Sequence, residues 1–225
     1  MKSYKHMIKL FHISFFYGLM FANLPLVFAQ QGMDQINVNG QFVMAARAGR
    51  VDRASAFLAE GAKVNSRDRN GDSPLNMAAA KGNAALVDVL LESNADVNLA
   101  NIAGVTPLMG AVFSGNAEIV RKLLAAGAKI DPVDRVKKNA ATYAAGKGCG
   151  ECLLALIEAG TGVNTPLEND LTLLMWAAAY GHESTVRLLL NRGADRNLSD
   201  SRGKSAADMA REGGFEKVSI LLKQP

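Results

Sequence analysis

Apolar residues between Gly104 and Asp131 fall into two short helical stripes separated by a turn. Thr106 offers a hydroxyl to cap the first stripe, and Pro107 follows at the first helical position, where its missing N–H costs nothing. Leu108 and Ala111 share one face, and Gly115 supplies the left-handed residue that ends the helix. Ile119, Val120, Leu123 and Leu124 then make the apolar stripe of a second helix, which Gly127 stops. The predicted unit is helix, turn, helix, loop. Two short helices supply too little core to stand alone, so the unit needs neighbours.

The neighbours are in the sequence. Steps of 33 from Thr106 reach Ser73, Asn139, Thr172 and Ser205, all helix-capping residue types. The same step from Gly115 reaches Gly49, Gly82, Gly148, Gly181 and Gly214. From Leu123 and Leu124 it reaches Phe57–Leu58, Leu90–Leu91, Leu156–Ile157 and Leu189–Leu190. From Gly127 it reaches Gly61, Asn94, Gly160 and Gly193, and Asn tolerates the left-handed region best after Gly.

With that period, with Ser73-Pro74-Leu75 and Thr106-Pro107-Leu108, and with tails such as Gly61-Ala62-Lys63-Val64-Asn65, the chain resembles the ankyrin repeat family. The resemblance implies an all-α solenoid with β-hairpin-like finger loops over residues 39–225. Its six repeats lie near 39–70, 71–103, 104–136, 137–169, 170–202 and 203–225. The end repeats are the most degenerate, as caps facing solvent are expected to be. Repeat four has Asn139-Ala140 in place of Thr-Pro. The family's His after the leucine is replaced by Val43, Asn76, Met109, Thr142, Met175 and Asp208, so the bonding between repeats must differ from the family pattern.

The first residues follow another rule. Lys2, Lys5 and Lys9 precede a mostly apolar stretch from Leu10 to Phe28, and Val27 and Ala29 sit at cleavage spacing ahead of Gln30. The expectation is a cleavable signal peptide over 1–29, a short linker over 30–38, and a periplasmic or secreted mature protein; an uncleaved membrane anchor is the alternative. Removing those three lysines lowers the formal charge from +4 to +1, so the pI of about 9.1 argues poorly for nucleic-acid binding. No later segment is apolar enough over sufficient length to span a bilayer. Apolar residues make up 49% of the chain, enough for a folded core.

Chemistry is sparse. Beyond the leader His182 is the only histidine, and no phosphate loop or HExxH string occurs. The reading is non-enzymatic, with no cofactor and no metal. Cys149-Gly150-Glu151-Cys152 stands at the entry to the second helix of repeat four, where residues three apart can approach disulfide distance. A structural bridge, free thiols and a redox couple all remain open for this pair. Two cysteines are too few for zinc, and His182 lies one repeat away.

The resemblance also places binding on the finger tips and on the residues before each turn glycine. Carried over, the protein-binding residues are Arg69, Lys81, Ile102, Val105, Phe113, Arg135, Val136, Lys138, Leu171, Tyr180, Arg202 and Lys204. Arg47 and Lys147 join the six other basic residues of that face against Asp72, Glu168 and Glu212, while Ile102, Val105, Phe113, Val136, Leu171 and Tyr180 form an apolar strip. Apolar anchors in a charged rim fit a protein-binding patch. The expected partner is a protein with an acidic segment, not nucleic acid, and the expected state is monomeric. Trp176 is expected to pack between repeats and not to serve as a ligand platform. The expected role is a scaffold outside the cytoplasm; the alternatives are a redox module centred on Cys149 and Cys152, or a secreted effector acting on another cell.

Overall fold

The computed structural model describes residues 37–223, so the expected signal peptide lies outside the described residues. Helix α1 covers residues 37–47, and α2 is Val51–Ala59. Four further pairs follow: α3 (Pro74–Ala80) with α4 (Ala84–Glu92), α5 (Pro107–Phe113) with α6 (Ala117–Ala125), α7 (Ala140–Lys147) with α8 (Gly150–Glu158), and α9 (Leu173–Ala179) with α10 (Glu183–Asn191). Helices α11 (Ala206–Glu212) and α12 (Glu216–Lys223) close the stack. From α3 onward the start of each helix recurs at 33 residues. No strand occurs among the described residues; the fingers contribute one isolated antiparallel bridge, Ser199 to Ser205.

The caps explain where the first helices begin. Ser73, Thr106, Asn139, Thr172 and Ser205 each accept the backbone N–H three residues on, which satisfies a donor that would otherwise be orphaned. Within each pair the helices pack together, first helices stack on first helices, and second on second. The core runs the length of the stack, through Leu75, Leu108 and Leu174 on the first helices and Leu90, Leu123, Leu156 and Leu189 on the second.

The second helices are tied to the repeat before. Asn83 Oδ1 accepts the Leu86 N–H while its Nδ2 donates to Gly49 O at 3.1 Å. Asn116 repeats this with Ile119 and with Gly82 O at 3.4 Å. One step further Cys149 Sγ accepts the Cys152 N–H but is bonded to Cys152 Sγ. A disulfide sulfur carries no proton, so it cannot donate to Gly115 O, 3.8 Å away. At 182 the tie returns with a different residue, His182 Nε2 lying 2.9 Å from Gly146 O. In the family's histidine position, among the described residues, only Asn76 reaches across to the next repeat through its side chain, donating to Val105 O at 3.2 Å.

Candidate protein-interaction face

Four fingers are each built around one residue. Numbered by the repeat that follows them, fingers two, three, four and six carry Asp68, Asn101, Asp134 and Asp200 in register, and each Oδ1 accepts the backbone N–H groups two and four residues on. Burial pushes the Asp68 and Asp200 carboxyls up, but those amides together with Arg47 and Arg202 outweigh it, and both sit below the ordinary carboxylate value. Asp134 is buried and also accepts the Tyr143 hydroxyl. Burial and that carboxylate raise the Tyr143 phenol to about 12.

In the fifth finger the organising position is Leu167, which has no acceptor. There a single 3-10 turn, Glu168–Asp170, forms instead, with Asn169 and Asp170 at φ 60° and 58°. Asn and Asp are the residues that enter this region most readily after glycine.

Neighbouring fingers are joined by single backbone rungs. Ile102 N–H donates to Asn70 O, Arg135 N–H to Ala103 O, and Ser201 N–H to Asn169 O, at 2.9 to 3.0 Å. The equivalent rung from Glu168 to Val136 is absent among the described residues. Its loss has a local cause. Finger three meets finger four at Gly104, where an added Cβ would lie 3.0 Å from the Asp134 Cα. In finger four that place is taken by Lys137, at φ 60°, with a Cβ of its own. Asp170 likewise carries a Cβ toward finger six, but that finger has Asp200 and keeps its rung. Only between fingers four and five do a side chain at the approach point and a missing organiser coincide. A groove of about 220 Å³ opens there, with Val136, Lys138, Leu171 and Trp176 in its lining.

The apolar strip divides by exposure. Ile102, Phe113, Val136 and Tyr180 are each more than half exposed, whereas Val105 and Leu171 are half-buried and pack on the core. The aromatic groups are ordered by cations and by one another. Lys147 Nζ lies 4.1 Å from the centre of the Phe113 ring, and Lys138 Nζ 4.6 Å from that of Trp176. Trp176, Tyr180 and His182 stack in a row with ring centres 6.1 and 6.4 Å apart. Gly146 lies against the row, where even a Cβ would only touch Trp176 at 3.7 Å and Tyr180 at 3.8 Å in ordinary contact.

The basic residues divide too. Arg47 pairs with Asp68, Arg202 with Asp200, and Lys204 with Glu212. Lys81 donates to the Arg47 carbonyl. Arg69, Lys81, Arg135, Lys137, Lys138 and Lys147 have no carboxylate partner among the described residues. Within this face the unpaired cations therefore lie on fingers two to four and the adjoining helix ends. Sequence reasoning passed over Lys137, and its departure from glycine at a finger tip was the available signal. Among the described residues no group of three or more His, Cys, Asp or Glu could hold a metal ion, and no helix is long and apolar enough to cross a membrane.

Residues 42–134 and 137–225 each match the profile described as ankyrin repeats (3 copies). The chain belongs to the ankyrin-repeat family. Such repeats generally mediate protein–protein interaction. Over 193 residues the chain is 28% identical to YahD of Escherichia coli (strain K12), named as an ankyrin repeat protein, covering 83% of this chain and 96% of that one. It is also 34% identical over 95 residues to the E3 ubiquitin-protein ligase hecd-1 of Caenorhabditis elegans, 41% of this chain and 4% of the ligase. A third likeness, 37% over 60 residues, is to the human NAD-capped RNA hydrolase NUDT12, 27% of this chain and 13% of the hydrolase. The chain spans only those small shares of the ligase and the hydrolase.

Proposed function

We propose that this ankyrin-repeat chain is a non-enzymatic scaffold that binds an acidic segment of a partner protein through its fingers and the ends of its first helices, and that it acts outside the cytoplasm. The observation that carries the reading is the set of exposed apolar groups, Ile102, Phe113, Val136 and Tyr180, set among six cations that pair with no carboxylate among the described residues. Exposed aromatic anchors beside uncompensated charge give an interface both contact area and electrostatic selection. A lysine-bearing apolar leader supports export, and the Cys149–Cys152 bond suits an oxidising compartment.

The test is a photo-cross-linker at position 113 in intact cells, with the captured protein identified and its affinity then measured. Replacing Phe113 and Tyr180 by alanine is expected to abolish capture; undiminished binding sinks this placement. Fractionation together with the mass of the mature N-terminus tests export and cleavage before Gln30, and separates a resident protein from a delivered effector.

A second reading rests on the disulfide in the first turn of α8. In it the bond oxidises a partner dithiol to its disulfide, and Cys149 and Cys152 take up the two electrons and two protons. Cys149→Ser distinguishes the readings: a variant that keeps partner binding and cellular function favours the scaffold.

A further inference from the structure

The missing rung leaves the Val136 carbonyl and the Glu168 amide without the bonds their counterparts make with each other elsewhere along the fingers. The groove there has Val136, Glu168 and Trp176 in its lining. Its volume, about 220 Å³, is below the ~300–1,000 Å³ usual for small-molecule and cofactor sites. That size suits one large side chain of a protein partner.

Charge decides what accompanies the side chain. Lys137 and Lys138 line the fourth-finger wall without a carboxylate partner among the described residues, and Lys138 Nζ is already held over the Trp176 ring. Glu168 on the opposite wall disfavours a second carboxylate. We infer that this cleft is the partner's anchorage: it takes one large apolar side chain beside Trp176, with a single adjacent carboxylate on Lys138, from an extended segment whose main chain meets the Val136 carbonyl and the Glu168 amide. This rests on the scaffold reading and narrows it to one junction of the stack.

Trp176 is the chain's one tryptophan and is half-buried, so its emission reports on the cleft directly. The full chain is titrated with acetylated, amidated Gly-Asp-Phe-Gly-Gly and with Gly-Lys-Phe-Gly-Gly as the charge-reversed control. The aspartate peptide is expected to give a saturable change and to bind about tenfold tighter than the control. Lys138→Gln should remove that preference, and Val136→Ser, at an exposed position, should weaken both peptides while far-UV circular dichroism stays unchanged. Equal response to the two peptides, or no saturable change, overturns the inference. If the peptides fail while the Phe113/Tyr180 double variant still loses its cellular partner, the cleft is wrong and the face stands. If neither behaves as expected, both readings fall.

Discussion

The third and fourth helix pairs occupy equivalent places in the stack and are held by different chemistry. In the third, Asn116 caps its own helix and ties it to the preceding turn, and Gly115 has open space beside its Cα. In the fourth, Cys149 keeps the cap, loses the tie, and gains a covalent bond to Cys152. Its turn glycine, Gly148, lies under the His182 ring of the next repeat, with a ring atom 2.6 Å from where a Cβ would stand. A periodic backbone thus tolerates exchange of the groups that hold it: at Cys149 the Gly115 carbonyl loses its donor, and a covalent link within the first turn of α8 takes the place of the tie.

The largest expected effect separates the two turn glycines. Both have φ 73°, so alanine at either incurs roughly 1 kcal/mol or more of backbone strain. At Gly148 the added methyl must also displace His182 and break its contact with Gly146 O, bringing the expected loss to about 3 kcal/mol. Urea unfolding of the two variants measures the difference; equal losses would refute the packing account. His182→Ala should recover part of the Gly148→Ala deficit and none of that of Gly115→Ala.

Next comes the organiser of finger four. Asp134→Ala leaves two backbone amides and the Tyr143 hydroxyl without their acceptor, an expected loss of about 2–3 kcal/mol. Leu167→Ala in finger five removes only a half-buried apolar contact, and a loss of about 1 kcal/mol is expected. A Leu167 variant as costly as the Asp134 one would mean that finger five is organised by something other than its backbone turn.

Reducing the disulfide should cost about 2 kcal/mol on the loop-entropy account for so short a loop. Transplanting the third pair's solution by Cys149→Asn with Cys152→Val should make stability indifferent to reductant. Thermal melts with and without dithiothreitol test both statements.

The smallest effects come with pH. The Tyr143 phenol is raised by burial and by Asp134 to about 12, against an unfolded value near ~10. Its contribution is therefore complete below the unfolded value and lost as pH rises through the folded one. Absorbance at 295 nm should show one late-titrating tyrosine that Tyr143→Phe removes. Asp68 and Asp200 have the opposite sign, since both are depressed in the fold. Their contribution holds above the unfolded carboxylate value and disappears as pH falls below it, so an acid melting series should lose stability below about pH 4.

The repeat register, the caps and the turn glycines were legible in the sequence because each acts within a few residues of itself. Thr106 caps with Met109, and Gly115 turns the chain where it stands. The charge of the finger face was legible as a sum. Which cations are spent on Asp68, Asp200 and Glu212 was not, nor that Val105 and Leu171 turn partly into the core. The missing Val136–Glu168 rung, the groove over Trp176 and the His182 ring above Gly148 depend on distances between residues some 30 apart. Local propensity sets each repeat; the small displacement between successive repeats sets which neighbouring groups meet, and only the packed stack determines it.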